Sequence, residues 1–155
     1  MPEQSYFEAL LKAYEGEIAG EVYFKTLSGM FTEPTYARNL LLLAAVEQRT
    51  SMALQPLINR HRIKPSNRAE LVTLGKSWVT ERAFRHWKDL IDHMTNHYPG
   101  YIEKFKALEA AGPVEDKAAL KILVEHEIAL LEFAECEKAG DTNSRVRLQS
   151  FLAEC

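Results

Sequence analysis

Four glutamates of this sequence occupy positions where a helical protein normally places apolar core residues. In the long predicted helices, apolar residues recur at alternating intervals of four and three, the spacing of a stripe that faces the core of a helical bundle. Glu17 and Glu21 interrupt this stripe in the first helix. Glu47 interrupts it in the second helix, and Glu127 in the fourth. Since Glu17, Glu47 and Glu127 fall near the middle of their helices, we expect these carboxylates to meet at one level.

Buried carboxylates at one level need partners. Burying a carboxylate costs several kcal/mol unless it is paired, protonated or bound to a metal, and several together repel one another. A cation between them removes both penalties, so the pattern predicts a metal site with Glu17, Glu47 and Glu127 as ligands. The alternative is that these glutamates are only hydrogen-bonded. Glu21 is either a further or bridging ligand or the partner of a nearby basic side chain.

Histidines of the third long helix are candidates to complete this site. Two helical stripes compete to face the core: one consists of His86, Leu90, His93 and His97, and the other of Trp87, Ile91, Met94 and Tyr98. If the first faces inward, His93 or His97 joins the glutamates, and imidazole with carboxylate suits iron, manganese or zinc. A protonated histidine can also pair with a buried glutamate without a metal. If the second stripe faces inward, the histidines lie at its edge. His126 falls off the stripe of Glu127, so we expect it on the surface.

The elements that position these residues are predicted to be helices, because glycine and proline are scarce and no segment shows sustained strand alternation. Ser5-x-x-Glu8 has the spacing of a capping box, and Asn67-x-x-Glu70 can cap a short helix. The predicted long helices cover about 5–31, 35–60 (with Pro56 as a kink), 80–111 (perturbed near Pro99) and 114–139. A short helix is predicted from Asn67 through Gly75, and a short amphipathic helix over 144–152.

The lengths of these helices predict a four-helix bundle formed by a single domain over residues 1–155. The short link after the first helix makes the first two helices antiparallel. The connector over 61–79 is long enough to cross a bundle helix of about 37 Å. The second and third long helices are then parallel, which is the one-crossover topology of ferritin-like bundles. An up-down bundle with an inserted helix is the alternative.

Composition limits the classes of function. The chain is 46% hydrophobic and 26% charged, with a net charge of −3, which excludes a disordered, fibrous or disulfide-stapled protein and does not indicate a nucleic-acid-binding surface. Cys136 and Cys155 form no CxxC pair. The first residues lack the pattern of a secretory signal, and the longest apolar run, 40–46, is too short to span a membrane. We therefore expect a cytoplasmic protein without a membrane segment.

Three segments resemble ligand-bearing motifs of a known class of metalloproteins. Residues 15–19 read Glu-Gly-Glu-Ile-Ala, residues 95–101 read Thr-Asn-His-Tyr-Pro-Gly-Tyr, and residues 124–130 read Val-Glu-His-Glu-Ile-Ala-Leu. With these motifs and a glutamate at position 47, the chain resembles the ferritin-like superfamily over residues 6–139, and its rubrerythrin-type branch most closely. The resemblance implies a four-helix bundle that holds a di-metal carboxylate site, with Glu17, Glu47 and Glu127 at ligand positions.

The sequence departs from this family pattern at three places. Thr50 and Leu130 stand where the family has the histidines of its two Glu-x-x-His motifs, and the acidic ligand of the third helix falls at Asn96 or His93. A rubredoxin-type iron centre is absent, because it needs four cysteines. The departures predict an under-coordinated site, at which water or a substrate fills the open positions.

Two main hypotheses for function follow. In the first, the protein is a rubrerythrin-related oxidoreductase whose core site binds iron, or manganese or zinc, and reacts with O₂ or peroxide on a small-molecule substrate. In the second, the bundle is metal-free and works as a homodimer or a partner-binding module. Hydroxylation of a larger substrate, such as a modified tRNA, rests on family analogy alone.

Overall fold

The chain folds into six α-helices joined by short connections. The computed structural model describes residues 2–154, and Cys155 lies outside them. The helices are α1 (Glu3–Ser28), α2 (Pro34–Arg60), α3 (Arg68–Arg82), α4 (Trp87–Ala111), α5 (Lys117–Ala139) and α6 (Val146–Ala153), with a 3₁₀ turn at Val114–Asp116. Residues 2–154 contain no strand, so the all-α prediction is confirmed. Within the same residues, no helix is both long and apolar enough to cross a membrane.

The prediction was wrong about the boundary between α3 and α4. The short helix continues to Arg82, and the long helix begins only at Trp87 rather than near residue 80. Ala83 adopts a left-handed conformation, with φ of 48°, and its N–H donates to the Val79 carbonyl. Left-handed helix ends usually carry glycine. Because residue 83 is an alanine, the sequence does not indicate that α3 ends here.

The two predicted caps had opposite outcomes. The Asn67 side chain accepts a hydrogen bond from the Glu70 N–H at 2.9 Å, so the cap of α3 is confirmed. The predicted capping box at Ser5 was wrong, because α1 already begins at Glu3. The Tyr6 N–H donates to the Pro2 carbonyl at 3.0 Å, so the first helical turn closes ahead of Ser5.

Neighbouring long helices run antiparallel. The Tyr14 hydroxyl of α1 donates to Gln55 near the end of α2 at 2.8 Å, while the rings of Phe31 and Tyr36 meet where the chain turns from α1 into α2. The Trp87 indole N–H at the start of α4 donates to Glu137 near the end of α5 at 2.7 Å. α2 also packs against α5, and α6 packs on both. The core thus lies between two antiparallel helix pairs.

The connection from α2 to α4 passes along α1. Its first residue, His61, contacts Asp116 and lies beside Tyr6 near the start of α1. Trp87, at its far end, stacks on Tyr36 with 4.3 Å between ring centroids. Within this connection, α3 packs closely on α1 at Gly75, where an added Cβ would lie 2.4 Å from the Ala19 carbonyl oxygen.

The apolar stripe of α4 faces the core. Ile91, Met94 and Tyr98 are buried, whereas His93 is half-buried and His97 is exposed. Of the two competing stripes, the one without histidine therefore packs inward.

Candidate metal centre

The three glutamates predicted as ligands converge in the core. Glu17 of α1, Glu47 of α2 and Glu127 of α5 retain only 4–5% of their exposure. Each comes from the middle of a different helix, and α2 packs against both α1 and α5, which brings them to one level. The core stripes predicted that these three glutamates are buried and lie at one level along the bundle, and the structure shows both.

A buried histidine that the sequence analysis placed on the surface lies in the middle of this cluster. His126 has 0% exposure, so its predicted surface position was wrong. Its Nε2 atom lies 2.7 Å from Glu17 Oε1, 3.2 Å from Glu127 Oε2 and 3.6 Å from Glu47 Oε1. His126 is inside because α5 packs against α2, α4 and α6, so more than one of its faces is covered.

A second stripe on α5 carried the signal for this histidine. It consists of Leu123, His126, Leu130 and Phe133, at intervals of three, four and three. All four side chains are buried. The sequence of α5 therefore contains two apolar stripes, one that includes Glu127 and one that includes His126.

The His126 ring is oriented by its own helix. Its Nδ1–H donates to the Leu123 carbonyl oxygen, one turn earlier. Because a carbonyl only accepts, this bond keeps the proton on Nδ1 and leaves Nε2 directed at the carboxylates. A bond from the second ring nitrogen to a backbone carbonyl is the usual support of a metal-binding histidine.

Two atoms at the centre have no hydrogen-bond partner. His126 Nε2 and Glu17 Oε1 are 2.7 Å apart, but their alignment is not that of a hydrogen bond, and both atoms are buried. Ligand atoms of Glu17, Glu47 and His126 all lie within 4.8 Å of one another. Buried polar atoms without partners are rare in native proteins and need an explanation. A cation bound to both atoms is one such explanation.

The spacing of the ligand atoms suits a single metal ion. Two ligands held about 2.0–2.2 Å from one ion lie roughly 3 Å apart or slightly more. The distances from His126 Nε2 to the three carboxylates, 2.7–3.6 Å, fall around this value. One imidazole with carboxylates suits iron, manganese or zinc.

Burial and mutual repulsion shift the ionisation of this cluster. Burial, together with the charge of Glu17, raises the pKa of Glu47 well above its usual value. Burial also raises the pKa of Glu127. Burial alone lowers the pKa of His126, but the carboxylates around it outweigh this effect and raise it well above its usual value. Without a metal, the cluster therefore retains protons that a cation would displace.

Gly20 creates the space in which Glu47 reaches the centre. A Cβ atom at residue 20 would lie 2.5 Å from Glu47 Oε2, so an alanine there would push the carboxylate away from this place beside α1. Glycine inside a helix costs about 1 kcal/mol relative to alanine. Here the glycine makes room for the Glu47 carboxylate, which comes from α2.

The other predicted ligands lie apart from this cluster. Glu21 is buried but pairs with Lys25 at 2.5 Å. His93 packs against Phe84 and His97 on the outer side of α4, with ring centroids 5.2 and 4.4 Å away. The structure thus brings together Glu17, Glu47 and Glu127, but not Glu21, His93 or His97.

Tyr98 and Phe105 of α4 lie near the cluster, and the Thr50 hydroxyl of α2 is bonded to its own helix. Phe105 of α4 packs near His126, with 5.9 Å between ring centroids. Tyr98 is also buried, and its pKa is raised well above normal by burial and then by the charge of Glu127. The Thr50 hydroxyl donates to the Val46 carbonyl of its own helix at 2.8 Å. Within the described residues, α1, α2 and α5 supply the whole ligand set.

A cleft of about 860 Å³ leads to the centre. It lies between α1, α3 and α4, and Glu17, Glu47 and Glu127 form part of its wall. Most of its lining is apolar or aromatic. The three glutamates therefore border a cavity of the size that holds small organic ligands.

Comparison with known proteins finds no matching family model, no curated protein of significant similarity and no solved structure with a significant match. Function is therefore argued from the geometry of the site.

Proposed function

We propose that the protein is a metal-dependent oxidoreductase whose core site holds one iron ion, or a manganese ion in its place. The observation that carries the proposal is His126, whose Nε2 is buried without a hydrogen-bond partner among three buried carboxylates. A bound ferrous ion would supply the redox chemistry, passing electrons to O₂ or peroxide as it is oxidised.

The protein residues have separate tasks at this site. Glu17, Glu47 and His126 would hold the ion, and Glu127, at 3.2 Å from the same imidazole nitrogen, would be a fourth ligand or a bonded neighbour. The Leu123 carbonyl fixes the direction of the imidazole. Phe105 and Leu130 provide apolar walls that limit the access of water.

A single ion is proposed in place of the di-metal site of rubrerythrin-type proteins. A two-metal bundle takes ligands from all four helices. Here α4 places Tyr98 and Phe105 near the centre, and Leu130 takes the place of a motif histidine. The supply of ligands is therefore sufficient for one ion.

The proposal includes the ferritin-like topology with a long crossover. Its support is the path between α2 and α4, which begins beside Tyr6 at the start of α1. The path ends at Trp87, which lies 5.6 Å from the ring of Phe31, just beyond the other end of α1. A chain that connects these two ends makes α2 and α4 parallel.

The competing proposal is a metal-free bundle in the cytoplasm that acts as a homodimer or partner-binding module. In that case a protonated His126 neutralises the carboxylates, which agrees with the direction of its pKa. Leu41 and Met52 of α2 are 51% and 64% exposed and offer apolar surface to a second copy. The two proposals differ in what occupies the space between His126 and Glu17.

Metal titration tests the proposal. Protein purified without a metal-affinity tag and dialysed against EDTA is titrated anaerobically with Fe²⁺ and with Mn²⁺ by calorimetry. We expect about one ion per chain, and a loss of at least tenfold in affinity in His126→Gln and in Glu17→Gln. Glu125→Gln is the matched control, because Glu125 adjoins His126 but makes only a long contact of 3.8 Å with Lys121.

The redox step is tested on the same samples. The iron-loaded wild-type protein and the iron-loaded Glu125→Gln control are expected to consume O₂ or peroxide faster than an equal amount of free Fe²⁺ or than His126→Gln mixed with the same amount of iron. If the wild-type protein binds neither ion, the metal proposal is wrong and the metal-free bundle replaces it. If the protein binds iron but reacts with neither O₂ nor peroxide, the metal site stands and only the proposed oxidoreductase activity is rejected.

A further inference from the structure

The cleft that leads to the centre contains a positively charged side chain above aromatic rings. The Arg82 guanidinium, in the last turn of α3, lies 4.8 Å from the centroid of Tyr23 and 5.4 Å from that of Trp78. Within residues 2–154, no carboxylate lies within salt-bridge distance of it. Arg82 is half-buried and lines the cleft. A guanidinium held in place by aromatic rings and without an acidic partner is well suited to bind an anion.

The charged side chain and the metal centre share one cavity. Tyr23, beneath Arg82, follows Glu17 by six residues on α1, which corresponds to about 9 Å along the helix axis. The lining of the cleft on α1 extends from Glu8 to Phe24. That stretch corresponds to roughly 24 Å, so the cleft is elongated along the helix.

The wall between these points is largely apolar. Besides the aromatic residues near Arg82, the lining includes Leu74, Phe105, Leu108 and Leu130. Lys12, Lys104 and Glu8 line the cleft but are exposed to solvent, whereas the Arg82 side chain is half-buried. A fully polar ligand would lose hydration along this wall without compensation.

We propose that the cleft binds an aliphatic monocarboxylic acid. Its carboxylate pairs with Arg82 in the two-point geometry that guanidinium favours, and its hydrocarbon chain lies along α1 and α4. The chain then passes the level of Glu17, so the metal centre faces carbons remote from the carboxylate. As the substrate class of the site, this inference rests on the proposed function, but the binding itself does not require a metal.

Gly16 provides a way to block the cleft without touching the ligands of the metal. Gly16 lines the cavity, and an added Cβ would have no neighbour within 4 Å. Gly16→Leu therefore places a large side chain into the cavity. Because leucine is a better helix former than glycine, the substitution does not weaken α1.

The test measures binding of dodecanoate and of dodecan-1-ol to the EDTA-dialysed protein by calorimetry. We expect one dodecanoate per chain, with an affinity at least tenfold above that of the alcohol. Arg82→Gln is expected to lower dodecanoate affinity at least tenfold and to change dodecanol affinity less than twofold. Arg85→Gln, an exposed arginine on the same connection, is the control and leaves both affinities unchanged. Gly16→Leu abolishes binding of both compounds while the protein remains folded by circular dichroism.

Several results would overturn the inference. Equal affinity for the acid and the alcohol, no binding of either, a normal dodecanoate affinity in Arg82→Gln, or unchanged binding in Gly16→Leu each contradict it. The metal titration of the same preparations tests the proposed function independently of dodecanoate binding. Metal binding without dodecanoate binding rejects only the substrate class. Dodecanoate binding without metal binding rejects only the metal centre.

Discussion

The Glu47 carboxylate lies close to α1 at Gly20, where no side chain occupies the space. At Gly20, a Cβ would lie 2.5 Å from Glu47 Oε2, whereas at Gly16, one turn earlier, it would meet nothing within 4 Å. The two glycines thus have opposite roles on one helix. One admits a ligand, and the other borders open space in the cleft.

This difference predicts opposite results for two identical substitutions. Gly20→Ala is expected to displace the Glu47 carboxylate and to lower Mn²⁺ affinity at least tenfold in a calorimetric titration. Gly16→Ala is expected to leave that affinity within twofold and to raise the free energy of unfolding by up to about 1 kcal/mol, because alanine replaces glycine inside a helix. Equal affinities in the two variants would contradict the role of Gly20 in positioning Glu47.

Among the elements, α3 determines the shape of the cleft. It closes one side of the cavity through Leu74, Trp78 and Arg82, and it is held against α1 at Gly75. Its first turn depends on Asn67, whose side chain both accepts from the Glu70 N–H and donates to the Glu70 carboxylate at 3.2 Å.

Removal of this cap is predicted to loosen α3 locally. Asn67→Ala should lower the free energy of unfolding by about 1 kcal/mol. Amide exchange should accelerate most in the first turn of α3. Asn67→Ser should retain most of the stability, because serine also caps. Asn96→Ala, at an exposed position inside α4, is the matched control and should cause no loss. Equal behaviour of the alanine variants would contradict the assigned role of the cap.

At the scale of the whole molecule, one buried carboxylate joins the ends of three long helices. Asp116, directly before α5, accepts hydrogen bonds from the Tyr6 hydroxyl of α1 at 2.5 Å, from Arg60 at the end of α2 and from His61 at 2.7 Å. Burial alone raises the pKa of Asp116, but these bonds outweigh it and hold the pKa below its usual value. Ionised Asp116 therefore stabilises the folded state.

The direction of this pKa shift determines how the free energy of unfolding depends on pH. A carboxyl whose pKa is lowered by folding contributes stability above its unfolded pKa of about 3.9, and this contribution is lost as the pH falls through its folded pKa. Asp116→Asn should therefore cost about 3 kcal/mol near pH 7, and the difference from wild type should shrink below about pH 4. Urea unfolding between pH 7 and pH 3 measures this difference. Glu115→Gln, an exposed neighbour, should show no such trend.

Local patterns in the sequence were sufficient to predict the helices and most of the buried residues. Helical periodicity is local, so the intervals between apolar residues were sufficient to predict four long helices and to place Glu17, Glu47 and Glu127 inside. The Asn67 cap was predictable for the same reason, since its partner lies three residues away. The end of α3 at Ala83 was not, because the left-handed residue there is not a glycine.

The faces of α4 and α5 that turn inward, and the residues that meet between the helices, depend on how the helices pack together. Periodicity defines the possible stripes, but the number of covered faces depends on how many neighbours a helix has. α5 is covered by α2, α4 and α6, which buries His126 together with Glu127. On α4, Tyr98 is buried and His97 is exposed. Burial of the aromatic ring of tyrosine is more favourable in free energy than burial of the imidazole. The cleft arises where α3 and α4 leave a gap along α1, and no local pattern in the sequence encodes that gap.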